Sequence, residues 1–204
     1  TTLFWGVSGN LKYIVLAWAA LVLGYSTSQA TSLLGVVAIG TAIGATWASF
    51  KARLDEAHKV IPLGIIMGVL IIIMNGLYYA PREPLDLRLY LSWGFLLALG
   101  IVGGYLVVPM NALLQHRGHS LMGAGRSIAV QNFNEQACIL LLGGLYVGMQ
   151  GLGWSAAAAI TTFGLIVIAV MLAVRTWYAR NMRQHPQIMA HLLNQAREHD
   201  THLR

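Results

Sequence analysis

Gln131, Asn132, Asn134, Glu135 and Gln136 crowd into six residues of an otherwise apolar stretch that runs from Leu121 to Met149. Coiled as a helix, this segment sets Ser127, Gln131, Asn134, Glu135 and Cys138 on one side, three or four residues apart. Amides donate and accept hydrogen bonds, and a carboxylate accepts them or holds a cation. Such groups are costly deep in apolar sequence and turn toward a bundle interior or a water-filled cavity. Function is expected here, with Gln131, Asn132, Asn134 and Glu135 as the candidate residues. Lys12 is the other ionisable group in this kind of setting, near the middle of TTLFWGVSGNLKYIVLAWAALVLG. Ser8 shares its face, Asn10 lies on a neighbouring one, and both join the candidate set. Snorkelling along its stem to an interface is one reading of Lys12. A cavity-facing cation with an acidic partner or an anionic substrate is the other. Whether Lys12 and Glu135 pair with each other stays open.

These residues need helices to position them, and the composition supplies membrane-spanning ones. The chain is 57% hydrophobic and 10% charged, against about a quarter charged in ordinary soluble domains. Mean hydropathy is +0.64. Crossing a bilayer takes about 20 mostly apolar residues, and six runs qualify, near 3–23, 31–50, 60–80, 88–113, 122–149 and 152–178. The expected fold is an all-α membrane protein with six transmembrane helices over residues 1–183, followed by a tail over 184–204. Ile188, Met189, Leu192, Leu193 and Ala196 give that tail the spacing of a short amphipathic helix on a membrane surface. The first run is longer than a signal-peptide core and lacks a basic start. The chain begins at Thr1, almost directly in a span, and is expected to be a piece of a longer one.

Gly40–Gly44, Gly64–Gly68, Gly100–Gly104 and Gly144–Gly148 repeat the spacing that lets helix backbones approach closely. Pro62 opens the third span, where proline is tolerated. Pro109 falls near the end of the fourth and is expected to kink it. A kink there re-aims Asn111 and Gln115 just before a basic corner, Gln115–Arg126. Pro109, Asn111, Gln115 and Arg126 are therefore candidates for gating at that corner, with plain hydration as the competing account of Asn111 and Gln115. The seven histidines fall in links or the tail, and no metal-ligand spacing or cofactor motif is present. Cys138 is a single cysteine, so an internal disulfide is excluded.

Orientation follows from short-link charges. With the N-terminal end inside, the inner segments hold Lys51, Arg53, Lys59, Arg117, Arg126, Arg175, Arg180, Arg183, Arg197 and Arg204, and the outer segments hold Arg82 and Arg88. Ten against two puts both ends in the cytoplasm. The net charge of +6 then faces anionic membrane lipid rather than nucleic acid.

The first span FWGVSGNLKYIVLAWAALVLG and the stretch VVPMNALLQHRGHSLMGAGRSIAVQNFNEQA, with the span spacing around them, resemble the C-terminal half of the bacterial lysophospholipid transporters of the major facilitator superfamily. The resemblance covers almost the whole chain up to about Arg183. It implies a twelve-helix transporter of the bacterial inner membrane, spans seven to twelve being present here and a six-helix N-terminal half completing it. It also implies movement of lysophosphatidylethanolamine and lysophosphatidylglycerol to the cytoplasmic leaflet, where a partner acyltransferase–acyl-carrier-protein synthetase reacylates them. A basic residue in span seven lines the cavity in that family, and Lys12 stands in its place. It is lysine where arginine is familiar, which weakens bidentate phosphate binding. On this reading Lys12 meets the phosphate and the amides meet the head. Glu135 attracts an ethanolamine amine or binds a coupling ion, or else makes a helix–helix hydrogen bond as a protonated acid.

Two other classes remain. A transporter of another amphiphile, such as a drug exporter, fits the same fold. A membrane-embedded enzyme using Glu135 as acid or base is the third, against which no nucleophile–base pairing or phosphate-cradling loop is found.

Overall fold

The computed structural model describes residues 1–53, 56–79 and 85–187. Among them six α-helices follow one another: α1 (Thr2–Leu23), α2 (Thr27–Lys51), α3 (Ile61–Gly76), α4 (Leu85–Met122), α5 (Ala124–Gly151) and α6 (Ala156–Gln184). No strand occurs among the described residues. By length and composition, α1, α2, α4, α6 and α3 with its flanking 3-10 turns are apolar enough to cross a membrane. The fifth helix is long enough too, but it carries the amide and acid cluster. The chain is an all-α membrane protein. The outer-link charges Arg82 and Glu83 and the tail from Ile188 onward lie outside the described residues.

Local chemistry sets the helix ends. Gly24 closes α1 with φ 67, a left-handed conformation that costs glycine nothing. Ser26 opens α2 through a capping box with Gln29. Pro62 stands in the first turn of α3, and the Ser155 hydroxyl accepts from the Ala158 N–H at 3.2 Å to start α6. The corner expected over Gln115–Arg126 is much shorter than the sequence suggested. The fourth helix continues past Pro109 to Met122, 38 residues in all, or roughly 57 Å against an apolar layer of about 30 Å. Proline removes one backbone hydrogen bond, and Leu113, Leu114, Arg117 and Leu121 keep helical spacing beyond it. The turn falls at Gly123, with φ 82.

α2 pairs most extensively with α4, α3 with α6, and α1 with α5. Three of the four glycine pairs make these seams. Cβ atoms at Gly40 and Gly44 would strike the carbonyls of Leu97 and Ile101, and at Gly100 and Gly104 those of Val37 and Thr41. Gly64 and Gly68 admit Met171 and Ile168 of α6. Gly144 and Gly148 meet nothing within 4 Å, so this pair packs against no helix among the described residues. Trp18, Leu33, Leu96, Ile160 and Phe163 fill the centre. Arg88, placed at an outer boundary by its sequence, is buried, and its Nη1 donates to the Val22 carbonyl at 2.9 Å. A cation at the negative end of α1 satisfies a carbonyl the helix leaves open.

Candidate functional site

Asn10 sits in the seam between α1 and α5. Its Nδ2 donates to the Gly6 carbonyl at 2.9 Å and across to the Ile139 carbonyl at 3.0 Å, and its side chain is buried. Gly6 and Gly9 bring α5 close on the same line, against Cys138 and Ile139. Asn10 is therefore occupied by helix packing. Interhelical hydrogen bonds of this kind contribute about 0.6–2 kcal/mol. Asn10→Ala is expected to lower the thermal midpoint in detergent by a few degrees while transport per folded molecule stays unchanged. A large loss of transport at unchanged stability would return Asn10 to the binding set.

Lys12 lies on the outward side of α1 with Trp5 and Tyr13. Its Nζ stands 4.8 Å from the Tyr13 ring centroid rather than against Glu135. Ser8, one turn earlier, turns inward and borders a small hollow with Phe4, Val37 and Thr41. Asn132 and Gln136 are exposed. They precede Ile139 and Gly143 at helical spacing, on the edge of α5 that meets α1 at Asn10. The open faces of α1 and α5 thus carry one cation and two amides, on opposite sides of the Asn10 contact along the paired helices.

Gln131 and Asn134 lie elsewhere on α5. With Ser127 and Val130 they border a hollow of about 250 Å³, whose opposite wall is Leu114, Arg117, Gly118, Leu121 and Met122 of α4. Gly118 makes this possible, since a Cβ there would collide with the Ser127 hydroxyl. Glu135 is buried behind the hollow and accepts from Gln131 Nε2 at 2.8 Å, which fixes the amide's direction. Ser127, Gln131, Asn134 and Glu135 thus stay together as the sequence placed them, while Asn132 and Gln136 of the same cluster turn to the open face. Cys138, the next residue along, borders a third space instead. That cavity measures about 410 Å³ and is walled by Phe4, Ile61, Met67, Leu106, Val107, Met110, Val167, Val170, Met171 and Val174.

At the corner, Pro109 is buried, Gln115 and Arg126 are exposed, and Asn111 is half-buried. The Asn111 Oδ1 is enclosed without a partner among the described residues. No hydrogen bond among the described residues joins any two of these four. Arg117 is the functional candidate that counting charges missed. Its signal was present: Leu114, Arg117 and Leu121 repeat at helical spacing, which places the arginine on a helix wall rather than in a link. Asn75 was missed as well. Its Nδ2 donates to the Ala157 carbonyl at 2.7 Å and to Thr161 Oγ1 at 2.8 Å, joining α3 to α6. His58 stacks on Tyr178 with ring centroids 5.1 Å apart. No group of three or more potential metal ligands exists among the described residues.

No family model matches the chain, and no solved structure matches it. Curated relatives do. The chain is 36% identical over 181 residues to the lysophospholipid transporter LplT of Salmonella arizonae, covering 88% of this chain and 43% of that protein. It is 35% identical over 181 residues to the lysophospholipid transporter LplT of Klebsiella pneumoniae, with the same coverage. For Escherichia coli K12 the figure is 33% over 182 residues, 89% of this chain and 44% of the relative. Helices that can cross a bilayer and transporter relatives together make this a multi-pass membrane protein. Over most of its length the chain is thus similar to these lysophospholipid transporters, and it spans somewhat under half the length of those it matches.

Proposed function

We propose that residues 1–183 form the C-terminal six-helix half of a major facilitator transporter, and that the whole protein moves lysophospholipids to the cytoplasmic leaflet of the inner membrane. Lysophosphatidylethanolamine and lysophosphatidylglycerol are the proposed cargoes, with an acyltransferase–acyl-carrier-protein synthetase reacylating them. The observation that carries this reading is the open face of α1 and α5. A lysine at mid-span costs about 2.5–3.5 kcal/mol to insert, and here it neither packs inward nor pairs with Glu135. Its exposure suits a surface that an N-terminal half would cover, where a phosphate group would offset the charge. Asn132 and Gln136, exposed on the neighbouring helix, supply donors and acceptors for the head. Alternating access then comes from rocking one half against the other around that face.

Transport rather than catalysis is proposed, in line with what the relatives' names say of them. The test is chemical fate. Labelled lysophosphatidylethanolamine presented to the full-length protein is expected to cross the membrane and be recovered unchanged. Recovery as a cleaved or acylated product would make the protein an enzyme, and transfer of unrelated amphiphiles alone would make it an exporter of another class.

Both ends of the segment are proposed to be cytoplasmic, on the asymmetry of Lys and Arg. In a Cys138→Ala background, Ser28→Cys is expected to react with an impermeant maleimide from the periplasmic side. Ser120→Cys, also exposed, is expected to react only after the membrane is opened. Reversed labelling would invert every leaflet assignment.

A further inference from the structure

The polar hollow and the apolar cavity meet at Thr1 and Thr2, which border both. They lie where the start of α1, the end of α4 and the start of α5 come together, and the apolar cavity runs on from there toward the start of α3 and the middle of α6. One is lined by Arg117, Ser127, Gln131 and Asn134, the other almost wholly by aliphatic and thioether side chains. From this juxtaposition we infer that the half contains its own binding site for a single-chain anionic amphiphile. In it the Arg117 guanidinium holds the phosphate and the 410 Å³ cavity holds the acyl chain. The proposal rests on the lysophospholipid reading and adds a second site to it, inside the half and at the end carrying the basic residues, distinct from the open face of Lys12.

Three features commit the site to that occupant. A planar guanidinium offers paired donors to phosphate oxygens, and no carboxylate of the described residues pairs with Arg117. The neighbouring Gln131 is aimed by its hydrogen bond to Glu135, so the hollow has an oriented amide ready for a hydroxyl or ester oxygen. The apolar cavity lies within the range of about 300–1,000 Å³ usual for small-molecule sites. It offers no charged side chain, so it suits a hydrocarbon tail and not a second head. An amphiphile with one chain and one phosphate uses both spaces at once. Glu135 acts here through Gln131 and is a positioning residue.

Cys138 lies on the wall of the apolar cavity and reports its occupancy. In the full-length protein in detergent, 1-palmitoyl-lysophosphatidylglycerol is expected to slow alkylation of Cys138 by N-ethylmaleimide several-fold. Arg117→Ala is expected to raise the lipid concentration needed by about tenfold, with Arg117→Lys falling between. Monopalmitoylglycerol, which has the chain without the phosphate, is expected to protect no better than it does in Arg117→Ala. Should the thiol prove unreactive in lipid-free protein, quenching of a Met171→Trp fluorophore by a brominated acyl chain gives the same comparison. No protection and no quenching would overturn the proposal, as would equal effects of the charged and uncharged lipids or indifference to Arg117→Ala. Uptake measured in parallel separates this site from the transport reading. Uptake without occupancy removes only the site, and occupancy without uptake removes only transport.

Discussion

Lys12→Ala is expected to reduce lysophospholipid uptake by the full-length protein about tenfold or more, with membrane insertion intact. A phosphate meeting an ammonium in a partly dry face is worth at least the ~1.4 kcal/mol that a tenfold change requires. Insertion itself becomes easier, because the variant no longer places a charge at the centre of α1. Lys12→Arg is expected to retain most uptake, since arginine keeps the charge and binds phosphate with two donors. The check is initial uptake rate per molecule of protein recovered from the membrane. Unchanged uptake in the alanine variant would leave Lys12 as a residue that merely reaches along Tyr13 toward an interface.

Gly44→Leu is expected to prevent the half-bundle from assembling. A Cβ at Gly44 would strike the Ile101 carbonyl, which belongs to helix backbone and not to a flexible side chain. The α2–α4 pair can accept the extra atoms only by separating, and the facing glycines Gly100 and Gly104 would lose their own contacts with Val37 and Thr41. Overpacking of this kind costs about 3 kcal/mol or more, a large part of the roughly 5–15 kcal/mol that holds a folded protein together. Gly35→Leu, on the same helix, meets nothing within 4 Å and is expected to be well tolerated. The measurement is the yield of monodisperse protein in detergent for the two variants. Equal yields would mean that the glycine seam is not what joins α2 to α4.

Hydropathy located the helices because a bilayer demands an apolar stretch of fixed minimum length, and each of the six expected runs overlaps a helix. What hydropathy does not register is where a helix continues past the apolar layer. The fourth helix shows this: its polar end, with Gln115, Arg117 and His119, keeps helical spacing but loses the apolar signal. The glycine spacings were legible as packing motifs, yet only the neighbours decide which are used, and Gly144–Gly148 is left open. The α5 cluster was legible as a concentration of polar groups. Its division was not, because the rotation of α5 is set by Asn10, Gly6 and Gly9 on a helix more than a hundred residues away. Arg88 was legible as a boundary residue, but its burial was not. Charge alone does not tell that its guanidinium closes the end of α1.

Leaflet-resolved flux tests the central claim most directly. Full-length protein is reconstituted into liposomes with fluorescent lysophosphatidylethanolamine in one leaflet, and its arrival in the other is followed with an impermeant quencher. The account predicts flux well above that of protein-free liposomes, largely lost in Lys12→Ala and restored in Lys12→Arg. Flux equal to that of protein-free liposomes, or flux indifferent to Lys12, would contradict it.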